Sequence, residues 1–189
     1  MTGDDVRTAV DEAVALLARA PDPTAEVVLM GTDVAGVVWH MGECLHWYGH
    51  DLLVGPVDLT AGHWRRDPGA GYGRLITGLT TWGEVLARVV DAADPAERGF
   101  HPFGSPDPAG FAAMACAEVL VHTGDVVEAV GLRWSPPSDV TVRVLERLFP
   151  GAPADTDPAT TLRWATGRAD LPGHPRQASW SYVAPPRRP

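Results

Sequence analysis

The stretch that decides the fold is residues 111–131, FAAMACAEVLVHTGDVVEAVG. It carries no charge before Glu118, and His122 and Asp125 follow at steps of four and three. On a helix, positions i and i+4 lie one above the other, so Glu118 and His122 share a face that Asp125 extends. The rest of the segment is apolar nearly all round, which places the helix at the centre of a core. Glu118 is then expected to be buried, and an unpaired buried carboxylate costs several kcal/mol. Something must neutralise it: a proton, an arginine or a metal ion.

Outward from that helix, which Pro108 opens and Gly131 closes, the chain reads as all-α. A first helix from about Asp4 to Arg19 carries Val6, Val10, Val14, Leu16 and Leu17 at helical spacing and stops at Asp22-Pro23. A second starts at Thr32 or Asp33, either a good N-cap, and runs through VAGVVWHMGECLHWYGHDLLVG to Gly55-Pro56. A third spans about Gly71 to Asp91; its Gly73, Gly78 and Gly83 each cost up to about 1 kcal/mol relative to alanine. RGFHPFGSPDPAG, ahead of the central helix, is a loop by its turn residues. A shorter fifth helix is expected from Ser138 to Phe149, capped by Ser138 or Asp139, and beyond it TLRWATG reads as a short helix and SWSYV as a strand folding back over the domain. The economical architecture is a four-helix bundle over residues 1–150, with a Pro/Gly/Arg/Trp-rich extension over 151–189 packing on it.

Composition excludes several partners. The chain has no lysine; its 15 basic residues, all arginine, face 24 acidic ones, for a formal charge of −9 and a pI near 5.1. Binding nucleic acid needs a basic stripe, and the sequence offers only the pairs Arg65/Arg66 and Arg187/Arg188, so nucleic acid is not an expected partner. Apolar runs fall short of the roughly 18 residues that span a bilayer, so no membrane association is expected. MTGDDVRTAV lacks the basic start of a secretory signal, which makes the cytoplasm the expected location. Cys44 and Cys116 are too isolated for a disulfide framework and read as reduced thiols.

A bundle builds metal sites from inward side chains on facing helices, and the second helix offers matching donors within WHMGECLHWYGH. His40 and Cys44 share one face, while Glu43, His46 and His50 share another, roughly 60° to 100° away. If His40 faces inward, with Val37, Met41 and Tyr48 near the same side, it meets Glu118 and His122 in a His/Glu/His site with open positions. The plainer readings stand beside this one. An ExxxH pair is often an ordinary polar contact, His46 and His50 read as a surface pair with Asp51, and Cys44 reads as a small buried hydrophobe. The tryptophans read as packing. Asp125 either starts a solvated face with Glu128 or accepts from His122 and orients its ring. In the extension, Arg163, Arg168 and Arg176 are either exposed arginines or contacts for a carboxylate or phosphate, with FHPFGSP lining the same mouth.

The strings DVAGVVWHMGECLHW and GFAAMACAEVLVHTGDVVEAVG resemble the two signature segments of the mycothiol-dependent maleylpyruvate isomerase family, within the wider DinB-like four-helix-bundle superfamily. The likeness covers roughly residues 5 to 131. It implies a divalent metal, usually zinc, held by a mid-helix histidine and an ExxxH pair, which fall here on His40, Glu118 and His122. It further implies mycothiol as cosubstrate, its sulfur binding the metal as thiolate and attacking an electrophilic carbon. Two departures matter. Gly124 stands where a bulky aromatic is common, which is expected to leave room by the site, and residues 138–189 are too few to replace the isomerases' C-terminal domain.

The expected function is therefore a thiol-dependent transferase or isomerase acting on a small electrophilic metabolite, with Asp125 in support of the metal ligands. A metal-dependent hydrolase using metal-bound water, and a non-catalytic bundle that binds a ligand or partner through its Trp-rich tail, are the alternatives. A homodimer is compatible with the pattern, since bundles often pair.

Overall fold

Capping chemistry sets where each helix starts. In the computed structural model, which describes residues 1–59 and 62–186, helix α1 covers Gly3–Leu17, and the Asp5 carboxylate accepts from the Thr2 backbone N–H at 2.9 Å. Helix α2 (Val34–Val54) is capped by Asp33, which accepts from the Gly36 N–H. Helix α4 (Pro108–Val130) is capped by Asp107, has Pro108 in its first turn, and ends on Gly131 with φ 67°, the left-handed conformation that glycine adopts without strain. Helix α3 (Tyr72–Ala92) fills the space between α2 and α4 in the chain, and two shorter helices follow, α5 (Ser138–Leu148) and α6 (Pro158–Ala165). The reading of the fourth helix and of both its ends holds.

The described residues are all-α apart from one minimal ladder, β1 (Glu26–Val27) paired antiparallel with β2 (Thr32–Asp33). A 3-10 turn, Val28–Met30, and Gly31 with φ 62° join the two strands. This hairpin hands the chain directly to the Asp33 cap of α2.

The four long helices share one hydrophobic core. α1 and α2 each pack against α3 and against α4, and α4 also packs on α5. α2 buries Val34, Val37, Val38, Met41, Leu45, Tyr48 and Leu52 as a single stripe, whereas α4 buries residues on every side. Among the described helices α4 alone is long and apolar enough to cross a membrane, yet its neighbours bury most of it, as befits a core helix. Gly83 lets α3 approach α1: a Cβ there would meet Val10 Cγ2 at 2.8 Å.

The C-terminal part of the chain differs from expectation in two places. TLRWATG does contribute to α6, whose Leu162 and Ala165 join the common core, but SWSYV forms no strand. A strand needs a free sheet edge, and its neighbours here are helices. The segment runs extended instead, with the Val183 N–H donating to Leu148 O at the end of α5 and Arg147 holding the carbonyls of Val183 and Ala184. Similarly, α5 has no side-chain cap: Pro137 occupies that place, and Ser138 is already helical. Arg187 and Arg188 lie outside the described residues, and Arg66 stands 3.7 Å from Asp33.

Candidate metal centre

His40 projects from the edge of the buried stripe of α2, beside Met41, and points at α4. There Glu118 and His122 occupy one face, as their spacing requires. Oε2 of Glu118 lies 3.0 Å from His122 Nε2 and 3.7 Å from His40 Nε2, and the two imidazole rings meet edge-on with centroids 5.1 Å apart. The three donor atoms all lie within 4.8 Å of one another, the arrangement that could hold a metal ion. For tetrahedral zinc with bonds near 2.1 Å, donors stand about 3.4 Å apart, a value that the two histidine–glutamate distances bracket.

The hydrogen bonding of Glu118 is the sharpest test of that fit. Its Oε1 accepts from the Tyr48 hydroxyl at 3.3 Å. Its Oε2 is buried and has no hydrogen-bond partner among the described residues, although His122 Nε2 is close enough for one. Distance alone does not make a hydrogen bond; the imidazole is not aligned to donate to that oxygen. A buried carboxylate oxygen between two imidazole nitrogens, unclaimed by any donor, fits a cation. Burial opposes ionisation of Glu118, yet the nearby imidazoles of His122 and His40 hold its carboxyl well below the usual carboxylate range.

Behind His122 lies a second layer of charge. His122 Nδ1 is 3.0 Å from Asp125 Oδ2, so of the two sequence readings of Asp125 the orienting one holds; Asp125 is buried and starts no solvated face. Burial works against charging His122, and Asp125 together with Glu118 overcomes it, raising the imidazole to about 9. Asp125 is in turn gripped by Arg168, whose Nε and Nη2 donate to its two oxygens at 2.8 Å each. Burial opposes the charge on Asp125 as well, and His122 and Arg168 still keep its carboxyl below its ordinary value.

Arg168 is therefore not an exposed arginine: its side chain is 10% exposed, grips Asp125 and also lines the space beside Glu118 and His122. Arg163 pairs with Glu128, and its Nη1 comes within 3.0 Å of where a Cβ on Gly124 would sit. The room expected at Gly124 is present as a cavity of about 430 Å³ that Gly124 and Arg163 both line, but none of His40, Glu118 and His122 borders it. Arg176 donates to Gly167 O.

The extension closes the front of the site. A cavity of about 30 Å³ adjoins Glu118 and His122, walled by Phe149, Trp180 and Tyr182. The Tyr182 hydroxyl lies 3.2 Å from His101 Nε2, which ties the FHPFGSP loop to Tyr182, although no residue of that loop lines this cavity. Burial lowers the pKa of His101. Burial first, and then Glu118, raises those of Tyr48 and Tyr182. Tyr48 was legible as an inward neighbour of His40, two helical turns on; Tyr182 and Trp180 sit in a segment with no periodicity to announce them.

The second donor grouping of α2 is directed elsewhere. His46 stacks on Trp64 with centroids 4.1 Å apart and meets Trp82 edge-on, while His50 Nδ1 pairs with Asp51 at 2.9 Å. Cys44 Sγ is 3.6 Å from His40 Nε2, but burial first, and the Glu118 and Glu43 carboxylates second, push its thiol well above its ordinary pKa, so it remains protonated. Comparison with protein-family models, with curated proteins and with solved structures returns no match for this chain.

Proposed function

We propose that the chain is a metal-dependent enzyme of the DinB-like four-helix-bundle type, with a divalent ion, zinc by preference, held by His40, Glu118 and His122. Its reaction is the transfer of a thiol, mycothiol, to a small electrophilic metabolite, or the isomerisation of that metabolite through the thiol. The observation that carries the reading is the buried, unpartnered Oε2 of Glu118 between two imidazole nitrogens. Further support comes from α1 and α2 each packing against both α3 and α4 around one core. A divalent ion bound there supplies the Lewis acidity that keeps a coordinating thiol ionised near neutral pH.

The chain's own residues do the positioning. Asp125 holds His122 Nδ1, so that Nε2 faces Glu118, and Arg168 fixes Asp125 from behind. Tyr48 occupies the other oxygen of Glu118, leaving Oε2 as the free donor. Phe149, Trp180 and Tyr182 wall the Glu118 and His122 side of the site, while the His40 side chain is 39% exposed.

One observation favours a second reading. At about 30 Å³ the cavity beside Glu118 and His122 has room for a water or two, which suits a hydrolase with water as nucleophile; a thiol would approach from the side on which His40 is exposed. Elemental analysis of protein purified without a metal-affinity tag, beside His40→Ala and His122→Ala, tests the shared premise. About one divalent ion per chain, lost in both variants, supports it. Turnover that needs added thiol then separates the transferase from the hydrolase. If the native chain cannot be loaded with any metal, the enzymatic reading falls and a ligand-binding protein remains.

A further inference from the structure

The loop ahead of α4 and the C-terminal segment meet at His101 and Tyr182. The loop folds about His101, whose carbonyl accepts from the Gly104 N–H at 2.9 Å and whose Nδ1 accepts from the Phe103 N–H at 3.1 Å. The C-terminal segment packs closely on it: a Cβ on Gly104 would meet Pro185 Cγ at 2.5 Å. His101 Nε2 faces the Tyr182 hydroxyl at 3.2 Å. That hydroxyl is within hydrogen-bonding reach of Tyr48, whose own hydroxyl donates to Glu118 Oε1 at 3.3 Å.

The two ends of this series fix the direction of every hydrogen in it. A backbone N–H can only donate, so Nδ1 of His101 is an acceptor and the neutral ring carries its hydrogen on Nε2. Burial keeps the ring neutral, lowering its pKa against the pull of Asp51 and Glu118. Nε2–H therefore donates to the Tyr182 oxygen, and Tyr182 passes its single hydrogen to the Tyr48 oxygen. An ionised carboxylate can only accept, so Tyr48 ends the series by donating to Oε1. Such a series does not carry a proton away from Glu118, because all its hydrogens point towards that carboxylate and the far nitrogen of His101 is occupied. What it does is strengthen its last bond. At 3.3 Å that bond is long for a hydroxyl, and a hydroxyl that itself accepts a hydrogen bond becomes the better donor.

We propose that His101 and Tyr182 are positioning residues for Glu118, acting through Tyr48: they keep Oε1 capped and so leave Oε2 turned to the two imidazoles. The C-terminal segment is then part of the candidate site and not only its cover. Ring packing alone does not call for a tyrosine at 182. A phenylalanine would meet Phe103 and Trp180 equally well, but it would leave Nε2–H of the half-buried His101 without its acceptor. The hold on Glu118 stands with or without an ion; its consequence for metal affinity rests on the metal reading.

The test begins with the metal-free full chain, labelled with carbon-13 at glutamate carboxyls, the Glu118 resonance being assigned with Glu118→Gln. Tyr182→Phe keeps the ring and removes the hydroxyl, and it should move that resonance. In a Tyr48→Phe background the same change should leave the resonance where it is, since the connection is already cut. His101→Gln, which keeps an N–H donor, should stay near the native position, whereas His101→Leu should move as Tyr182→Phe does. Val183→Ser, on the same segment, should move nothing. In the second arm the chain is titrated with cobalt(II). Tyr48→Phe should weaken binding about tenfold and Tyr182→Phe about threefold, with a shift in the visible bands of the bound ion. The proposal is overturned if Tyr182→Phe leaves the Glu118 resonance unmoved, or moves it equally in the Tyr48→Phe background, in chains that keep the helical circular dichroism signal. A native chain that takes up no cobalt overturns the metal reading instead, and the metal-free arm still decides the role of Tyr182.

Discussion

Replacing Arg168 with methionine removes the guanidinium and keeps most of the apolar stem, and it strikes the group that holds the candidate site together from behind. The Asp125 side chain has no solvent exposure, and Arg168 gives it its two shortest hydrogen bonds, at 2.8 Å to either oxygen. Removing one partner of a buried ion pair costs about 3–5 kcal/mol, because the other charge is left desolvated. Here Asp125 keeps His122 at 3.0 Å and has Arg163 in reserve at 3.9 Å, so the lower end of that range applies, about 3 kcal/mol. That is a large share of the roughly 5–15 kcal/mol that holds such a domain folded.

Urea unfolding of chelator-treated protein measures this effect, in a cycle of native, Arg168→Met, Asp125→Asn and the double variant. A coupling energy of about 2 kcal/mol is expected at pH 7, since each single change removes the same interaction. The sign with pH follows from Asp125, whose carboxyl is depressed in the folded protein. Its stabilising contribution is present above its unfolded value near 3.9 and is lost as pH falls through the folded value. Without Arg168 the folded value rises, so the gap between native and variant should be widest at neutral pH and close below about pH 4. A penalty under about 0.5 kcal/mol at pH 7, or a coupling near zero, would refute the buried-pair argument.

Three other outcomes are expected. With His122 raised to about 9, metal binding at pH 7 must displace about one proton, and apparent affinity should climb roughly 100-fold from pH 7 to a plateau above 9, or about 2.7 kcal/mol at 1.36 kcal/mol per pH unit. Calorimetry in buffers of different ionisation enthalpy counts that proton. Gly83→Ala should destabilise by about 1–2 kcal/mol because its Cβ meets Val10 Cγ2 at 2.8 Å, whereas Gly78→Ala, with nothing within 4 Å, should stabilise by about 0.5–1 kcal/mol; paired thermal melts read both signs. Arg147→Ala removes the donors to the carbonyls of Val183 and Ala184 and should make residues 177–186 the first site of limited proteolysis, with the helical circular dichroism signal retained.

What was legible in the sequence is what local spacing controls. Glu118, His122 and Asp125 lie at i, i+4 and i+7 on one helix, so their common face follows from helical geometry before any fold is known, and Asp107, Pro108 and Gly131 bound that helix by capping chemistry. His40 entered through resemblance, since two groupings on α2 were equally open to periodicity. Arg168 could not be assigned the same way: it pairs with a residue 43 positions earlier, and nothing in TLRWATGRAD marks one arginine as buried. Residues 179–183 read as a strand because SWSYV has strand propensity, but propensity yields where there is no sheet edge to join. The Glu26–Val27 and Thr32–Asp33 ladder is two residues long on each side, too short for alternation to show.

Charge balance bears on what an ion at this site would recruit. With His122 protonated, Glu118 and Asp125 carry two negative charges against the positive His122 and Arg168, and the flanking Arg163 and Glu128 cancel each other. The cluster is neutral in that state, so electrostatics alone do not require a metal. The geometry is what argues for one, because a purely structural ion-pair network would align the His122 N–H with Oε2 of Glu118, and that oxygen is instead unclaimed. Exchanging the His122 proton for a dication leaves the cluster with one net positive charge in a largely buried setting. A further ligand that is anionic restores neutrality and a neutral one does not. On this ground a thiol that ionises on binding suits the site better than its alcohol analogue, whose much higher pKa resists the same ionisation.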